Sequence, residues 1–340
     1  MKKYIKVLFL ISQLFLLPAI AAVANKDSVN ILTWWGYLDY PEVIQKIEQD
    51  CDVKITHDNY YSNEEFLRRW QGHKEYYDVI IFSDTIYGVV KPNLPDLSKS
   101  TLWQQSAEYH PVIKSHYLSK HYPHNVVYFV HAMTGFLWNP ENIKINENDS
   151  IVSIFKKANG KLVVLMDDPV EAKKLVTSAE NGDQLTIANF NRVIQDANVY
   201  VTNNYSQIYK KPNFAFSYSW SGEAVIDLMA ANKEYKFLVH PKLSYVTSDL
   251  LAQTSTSRGA TCVAKELAGK KLATEMQENM FYFAPYKNMP VSKNRYYDAM
   301  HRNFIANLSM IPWLEYDKSQ FDIDNRNWQL IKLPLNTKKT

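Results

Sequence analysis

Glycine is scarce in this chain, which has only nine in 340 residues, no two of them closer than ten positions apart. Phosphate-binding loops and dinucleotide-binding turns need several closely spaced glycines, because the backbone must approach the phosphates. A nucleophile elbow needs glycine two residues before its serine, and Ser221 has Ser219 there. These absences argue against a nucleotide-dependent enzyme and against a serine hydrolase of that type.

Long apolar runs are also lacking. The mainly apolar segment 7–17 is preceded by three lysines and followed by several alanines, as in a signal peptide. Its eleven residues are too few to span a bilayer, which needs about 20. No cysteine lies near the cleavage site, so a lipid anchor on cysteine is excluded there. We expect a signal peptide over residues 1–24, cut after Ala21 or Ala24, and a soluble extracytoplasmic protein.

The chain has almost no excess of charge of either sign. The formal net charge is +3, and removal of the three signal-peptide lysines brings it to zero. A neutral chain argues against nucleic acid or an anionic membrane surface as the partner. The roughly 315 residues that remain exceed one typical hydrophobic core, so two lobes are expected.

Cysteine occurs only twice, at Cys51 and Cys262. The two could form a disulfide in an oxidising compartment, or they could be two buried free thiols. Their distance along the sequence does not decide between these alternatives.

Alternating strands and helices are the main pattern in the rest of the chain. Asp78–Phe82 is a nearly continuous apolar strand of the kind buried in a parallel sheet, and amphipathic helical segments precede and follow such strands. This alternation predicts an α/β fold. Polar or aromatic residues follow five predicted strands: Trp34 with Tyr37, then Ser83, Asp168, Trp220 and Asp249. Because ligands bind beyond strand ends in such sheets, we expect these residues to converge on one cleft.

The predicted cleft is aromatic and acidic, with no lysine or arginine at the five strand ends. Carboxylates favour a cationic ligand, and indole faces attract ammonium groups through the ring quadrupole. Methylene groups can pack between the rings. A linear aliphatic amine fits this combination better than a sugar, a phosphate or a carboxylate.

Six short motifs occur in an order and spacing that cover nearly the whole chain after the signal peptide. They are Trp34-x-x-Tyr37, Tyr60-x-Ser62-Asn63-Glu64, Tyr77-Asp78-Val79-Ile80, Asp167-Asp168-x-x-Glu171, Trp220-x-Gly222-x-Ala224 and Ser248-Asp249-Leu250. No single motif is specific. As an ordered set they resemble the periplasmic spermidine/putrescine-binding proteins of ABC transporters, which belong to the bacterial extracellular solute-binding proteins.

The resemblance implies an α/β, two-lobed periplasmic-binding-protein fold of type II. Each lobe would be a mainly parallel sheet flanked by helices, with the ligand cleft at the hinge. Lobe 1 would comprise residues 25–134 and 250–307, and lobe 2 residues 135–249 and 308–340. The implied function is capture of spermidine or putrescine and delivery to permease subunits in the inner membrane, with no catalysis, no cofactor and no metal.

The resemblance also implies a ligand site. Its members are Trp34, Tyr37, Ser83 and Thr85 from the first lobe, and Asp168, Glu171, Trp220, Thr247 and Asp249 from the second lobe and the hinge. In that family, one acidic group holds each terminal ammonium and aromatic rings pack on the methylenes. This chain departs from the pattern at three places, because Thr247 replaces a tryptophan, Leu314 a glutamine and Thr85 a tyrosine, for which Tyr87 could substitute.

The candidate site residues also have simpler interpretations, in which their role is structural. Asp168-Pro169-x-Glu171 is a helix start with a capping box. The tryptophans could belong to the core and Asp249 to a surface turn. The four histidines at positions 110, 116, 121 and 124 are not spaced for one helical face, so a zinc site is not expected.

Three other functions stay open at this point. They are a secreted hydrolase that uses the same cleft, a binding protein for another small cationic ligand, and a binding protein that has lost its ligand and serves as a sensor partner.

Overall fold

The computed structural model describes residues 27–179, 184–203, 209–231, 234–314 and 316–337. The predicted signal peptide over residues 1–24 lies outside the described residues. Across the part of the chain that is described, no helix combines the length and the apolar character needed to cross a bilayer.

One mixed sheet contains all nine strands of the described residues. The strands are β1 (Asp27–Trp34), β2 (Val53–Tyr60), β3 (Val79–Ser83), β4 (Val126–Trp138), β5 (Leu162–Leu165), β6 (Asn198–Val201), β7 (Phe214–Trp220), β8 (Lys236–Leu238) and β9 (Val246–Gln253). Their order in the sheet is β2-β1-β3-β9-β4-β7-β5-β6, and β8 pairs with β4.

Helices flank this sheet. They are α1 (Pro41–Cys51), α2 (Asn63–Gly72), α3 (Tyr87–Val90), α4 (Pro111–Ser119), α5 (Ile151–Lys157), α6 (Pro169–Thr177), α7 (Ile187–Ile194), α8 (Ser221–Ala231), α9 (Arg258–Leu267), α10 (Lys270–Asn279), α11 (Arg295–Asn307) and α12 (Lys318–Thr337). The predicted α/β class is confirmed.

Strand β4 divides the sheet into two parts. Its residues up to Met133 pair with β9, whereas residues from Thr134 onward pair with β7 and β8. The first part contains β1, β2, β3 and β9, and the second contains β5, β6, β7 and β8. Strand β1 is parallel to β2 and β3, and β5 is parallel to β6 and β7, whereas β9 runs antiparallel to both β3 and β4.

The apolar segments 126–130 and 135–138 are each typical of a strand, and the sequence predicts two separate strands there. In the structure they form the single strand β4. The sequence also predicts one helix over 260–280, but this segment is divided between two helices, because α9 ends at Leu267 and Gly269 is the N-cap of α10. Glycine has a low helix propensity, and it interrupts the helix here.

A disulfide joins Cys51 at the end of α1 to Cys262 in α9, which settles the alternative that the sequence left open. The two helices lie close to the sheet. A Cβ atom on Gly259 would come within 2.8 Å of Val53 Cγ1, so glycine permits the approach of α9 to β2. The core beneath them includes β3, whose five residues are all buried.

Candidate functional site

A cavity of about 570 Å³ lies where the two parts of the sheet meet. Residues 130–132 of β4 and 247–249 of β9 line it from the sheet. The other described lining residues come from strand ends, loops and helices on both sides: Trp34, Trp35, Tyr37, Tyr60, Tyr61, Ser83, Asn203, Trp220, Glu223, Ile226, Asp227, Met280 and Tyr282. Six of the nine predicted site residues are therefore brought together, namely Trp34, Tyr37, Ser83, Trp220, Thr247 and Asp249.

Asp249 is the centre of a hydrogen-bond network at one end of the cavity. Its Oδ1 accepts hydrogen bonds from Trp34 Nε1 and Ser83 Oγ, both at 3.1 Å, and its Oδ2 accepts one from the Tyr37 hydroxyl. Burial raises the pKa of Asp249 to about 6, and these three donors oppose that rise. A carboxylate has about four acceptor positions, so one remains for a ligand.

Strand direction explains how these residues meet. Trp34 and Ser83 are the last residues of β1 and β3, which run parallel to each other. Asp249 was expected just after a strand end, but β9 continues to Gln253 and places it within the strand. It still reaches the site because β9 is antiparallel to β3, and this register sets Asp249 opposite Ser83.

Seven tryptophan and tyrosine rings of the described residues line the cavity. Trp34 packs against Tyr60 with ring centroids 4.5 Å apart and meets Trp220 edge-on at 6.2 Å. Trp34 and Trp220 end strands from the two parts of the sheet, so this contact spans the cavity. Trp35 and Tyr61 stack at 6.0 Å, and both are more than half exposed. They form an aromatic rim at the solvent side.

A second acidic group lies on α8, where Glu223 and Asp227 are one helical turn apart and both line the cavity. Glu223 Oε1 accepts a hydrogen bond from the Tyr282 hydroxyl at 2.7 Å. Burial raises the pKa of Glu223 to about 7, and burial followed by the charge of Glu223 raises that of Asp227 to about 8. Sequence reasoning missed this pair, although two acids with i,i+4 spacing in an otherwise apolar helix could have indicated it.

Gly222 explains why Glu223 can reach Tyr282. A Cβ atom at Gly222 would come within 2.9 Å of the Met280 carbonyl oxygen and 3.1 Å of the Tyr282 ring. Only glycine allows the first turn of α8 to pack so closely against this segment. The glycine in the Trp220-x-Gly222 motif therefore assembles the second acidic group.

The cavity lining is acidic. Its described members include three carboxylates and neither lysine nor arginine. The one histidine among them, His131, is fully buried, and burial lowers its pKa to about 3, so it is neutral at physiological pH. Its Nδ1 pairs with Ser248 Oγ at 2.6 Å. The cavity is suited to a cation and unfavourable for an anion.

Asp168 and Glu171 do not line the cavity. Asp168 caps α6 by accepting from the Val170 amide at 2.8 Å, which confirms the capping role, and it also accepts from Asn63 Nδ2 at 2.7 Å. Glu171 lies behind Trp220 and accepts from Trp220 Nε1 at 3.1 Å and from the Tyr245 hydroxyl.

Burial raises the pKa of both acids, and the charge of Glu171 raises that of Asp168 further. Glu171 fixes the Trp220 ring from behind. A direct contact between either acid and a ligand stays a prediction.

The positions at which this chain departs from the family pattern do not all lie at the cavity. Thr247 lines the cavity, whereas Thr85 is buried outside the lining, and its carbonyl accepts from the Tyr316 amide at 3.1 Å. Tyr87 and Leu314 also lie outside the lining residues. Within the described ranges, no group of three or more His, Cys, Asp or Glu side chains is arranged to hold a metal ion.

The overall architecture is that of the two-lobed periplasmic solute-binding proteins. No protein-family sequence profile and no curated protein sequence matches this chain. Solved structures do match. A protein assigned provisionally to a spermidine/putrescine ABC transporter of Listeria monocytogenes superimposes with a TM-score of 0.71 and 16% identity, covering 91% of this chain and 99% of the other.

Two further structures show how wide this structural group is. The spermidine/putrescine substrate-binding protein PotD of Streptococcus pneumoniae has a TM-score of 0.68 at 14% identity, with 92% of this chain and all of the other covered. The GacH receptor of Streptomyces glaucescens, solved with acarbose, has the same TM-score at 13% identity, with 93% and 94% covered. These proteins share the fold with our chain and bind different ligands.

Proposed function

We propose that this protein is the extracytoplasmic solute-binding component of an ABC importer and that it captures a polyamine, spermidine or putrescine. The observation that carries the proposal is the cavity itself, which combines three carboxylates with seven aromatic rings. Desolvated ammonium groups bind well to carboxylates and to the faces of aromatic rings. The similarity to solute-binding proteins supports delivery of the ligand to permease subunits in the membrane.

The proposed placement of a polyamine follows from the contacts. One ammonium group binds the remaining acceptor position of Asp249, and the methylene chain lies against Trp34 and Trp220. Burial of methylene groups contributes about 0.8 kcal/mol each. The remaining predicted site residues, Thr85, Asp168 and Glu171, then act from behind the cavity wall.

We also propose the lobe boundaries that the sequence analysis predicted, with residues 25–134 and 250–307 in lobe 1 and 135–249 and 308–340 in lobe 2. The change of partner on β4 at Thr134 supports the first crossing. Asn63 Nδ2 then donates to Asp168 across the lobes, and Asn203 Nδ2 donates to the Tyr61 carbonyl at 3.1 Å. These two hydrogen bonds support a closed arrangement around the cavity.

Spermidine or putrescine is expected to raise the melting temperature of the purified protein. A ligand present at one hundred times its dissociation constant stabilises the native state by about 2.7 kcal/mol, which a thermal melt resolves easily. Glutamate and neutral amino acids, tested at the same concentrations, are expected to have no effect. If linear diamines and polyamines at millimolar concentration leave the melting temperature unchanged, the proposed function is wrong.

Replacement of Thr247 by tryptophan is expected to tighten polyamine binding. Thr247 lines the cavity, and an indole there adds a face for a desolvated ammonium, a contribution of about 0.5 to 2 kcal/mol. Isothermal titration calorimetry of Thr247→Trp against the unmodified protein measures the change. An unchanged dissociation constant in a variant with native circular dichroism would contradict the assignment of Thr247 to the ligand site.

A further inference from the structure

We propose that Glu223 and Asp227 of α8 form the second cation-binding pole of the cavity, opposite Asp249, and that they select dicationic over monocationic amines. This inference rests on the proposed function and deepens it. It assigns the second ammonium group to α8, whereas the family resemblance assigns it to Asp168 and Glu171.

The first support is that the α8 carboxylates have unused acceptor positions next to the cavity. Glu223 Oε2 is buried and has no hydrogen-bond partner among the described residues. Asp227 is only 4% exposed, and no described side chain or backbone group makes a hydrogen bond or ion pair with its carboxylate. Burying a carboxylate without a partner is costly. A cationic group entering the cavity would supply the missing partner for both.

The second support is the arrangement of the two poles around a pair of tyrosines. The Tyr37 hydroxyl donates to Asp249, and the Tyr282 hydroxyl donates to Glu223. The two tyrosine rings meet edge-on with centroids 5.8 Å apart. The poles are therefore separated by an aromatic contact, against which an aliphatic chain can pack while each end meets a carboxylate.

The third support is that neither member of the alternative acidic pair lines the cavity. Both Asp168 oxygens accept hydrogen bonds, from Asn63 and from the Val170 amide. Glu171 Oε1 accepts from Trp220 and Tyr245, and Glu171 Oε2 is buried without a partner among the described residues. Because Trp220 lines the cavity and donates to Glu171, a ligand ammonium would have to displace the Trp220 ring to reach that oxygen.

The test compares putrescine with butylamine, which has the same chain and a single ammonium group. The dissociation constants of both amines are measured by calorimetry for the unmodified protein, for the double variant Glu223→Gln with Asp227→Asn, and for Glu171→Gln. Glu147→Gln, an exposed loop position, is the control for the loss of one charge. The amide variants keep the size of each side chain, and the amide oxygen that Glu223→Gln introduces can still accept from Tyr282.

We expect the unmodified protein to prefer putrescine over butylamine by roughly tenfold or more, since a charge-assisted hydrogen bond is lost with the monoamine. The α8 double variant is expected to lose that preference, and the Glu147→Gln control is expected to keep it. A preference that survives in the α8 variant, or that disappears only in Glu171→Gln, overturns the inference while the proposed function stands. If neither amine binds the unmodified protein and spermidine fails as well, the proposed function itself is wrong.

Discussion

Asp249→Asn is expected to weaken polyamine binding by about 2 to 5 kcal/mol, the usual cost of removing one partner from a buried, hydrogen-bonded charge pair. The substitution is nearly isosteric. The asparagine Oδ1 can still accept from Trp34 and Ser83, and its Nδ2 can donate to the Tyr37 oxygen, so the network around it is retained. What disappears is the negative charge. Calorimetric titration with spermidine and putrescine measures the loss, which corresponds to a rise of about thirtyfold or more in dissociation constant.

The pH dependence provides an independent readout of the same residue. Burial raises the pKa of Asp249 to about 6 in the unliganded protein, and an ammonium ligand requires the ionised form. The contribution of Asp249 to affinity is therefore present above pH 6 and is lost as the pH falls below it, by roughly tenfold between pH 7 and pH 5. In Asp249→Asn this component should be absent.

The unliganded stability serves as the control for folding in this variant. A raised pKa means that ionisation of Asp249 opposes folding as the pH rises from about 4 through 6. Asp249→Asn is therefore expected to melt at the same temperature as the unmodified protein, or slightly higher, at pH 7. If the variant binds spermidine with unchanged affinity, Asp249 is structural and the ammonium site lies elsewhere.

Much of the site could be predicted from local sequence patterns. Trp34, Ser83 and Trp220 each end an apolar run, and all three runs became strands whose ends meet at the cavity. Hydrophobic periodicity identifies the strands. The rule that ligands bind beyond strand ends then predicts that these three residues lie at the ligand site. Periodicity does not encode strand direction, and for that reason the position of Asp249 within the antiparallel strand β9 was missed.

The acidic residues of the site show what local sequence patterns cannot predict. Asp168 and Glu171 fit a helix start and a ligand site equally well, since both roles use the same residue types at the same spacing. Only tertiary packing shows that Asp168 accepts from Asn63, that Glu171 Oε1 accepts from Trp220 and Tyr245, and that neither acid lines the cavity. For Glu223 and Asp227 the only local signal is their i,i+4 spacing in an otherwise apolar helix. That spacing does not show that they face a cavity, which depends on the packing of α8 against Tyr282 that Gly222 allows.

Removal of the disulfide is expected to lower the free energy of unfolding by about as much as Asp249→Asn lowers the free energy of polyamine binding. The bond between Cys51 and Cys262 closes a loop with a sequence separation of 211 residues, which constrains the unfolded chain strongly. The double variant Cys51→Ala with Cys262→Ala should lose about 2 to 5 kcal/mol of unfolding free energy. Urea denaturation of the variant and the unmodified protein measures the difference, with the slope of the transition checked in both.

Reduction separates the effect of the bond from that of the side chains. The unmodified protein in dithiothreitol should lose most of the stability that the double variant lost, whereas the variant should not respond to the reductant. Neither cysteine lines the cavity, so spermidine affinity at low temperature should be the same with and without the bond. A double variant within about 0.5 kcal/mol of the unmodified protein, the range of ordinary surface substitutions, would mean that the packing of α1 and α9 on the sheet, and not the covalent link, stabilises this part of the fold.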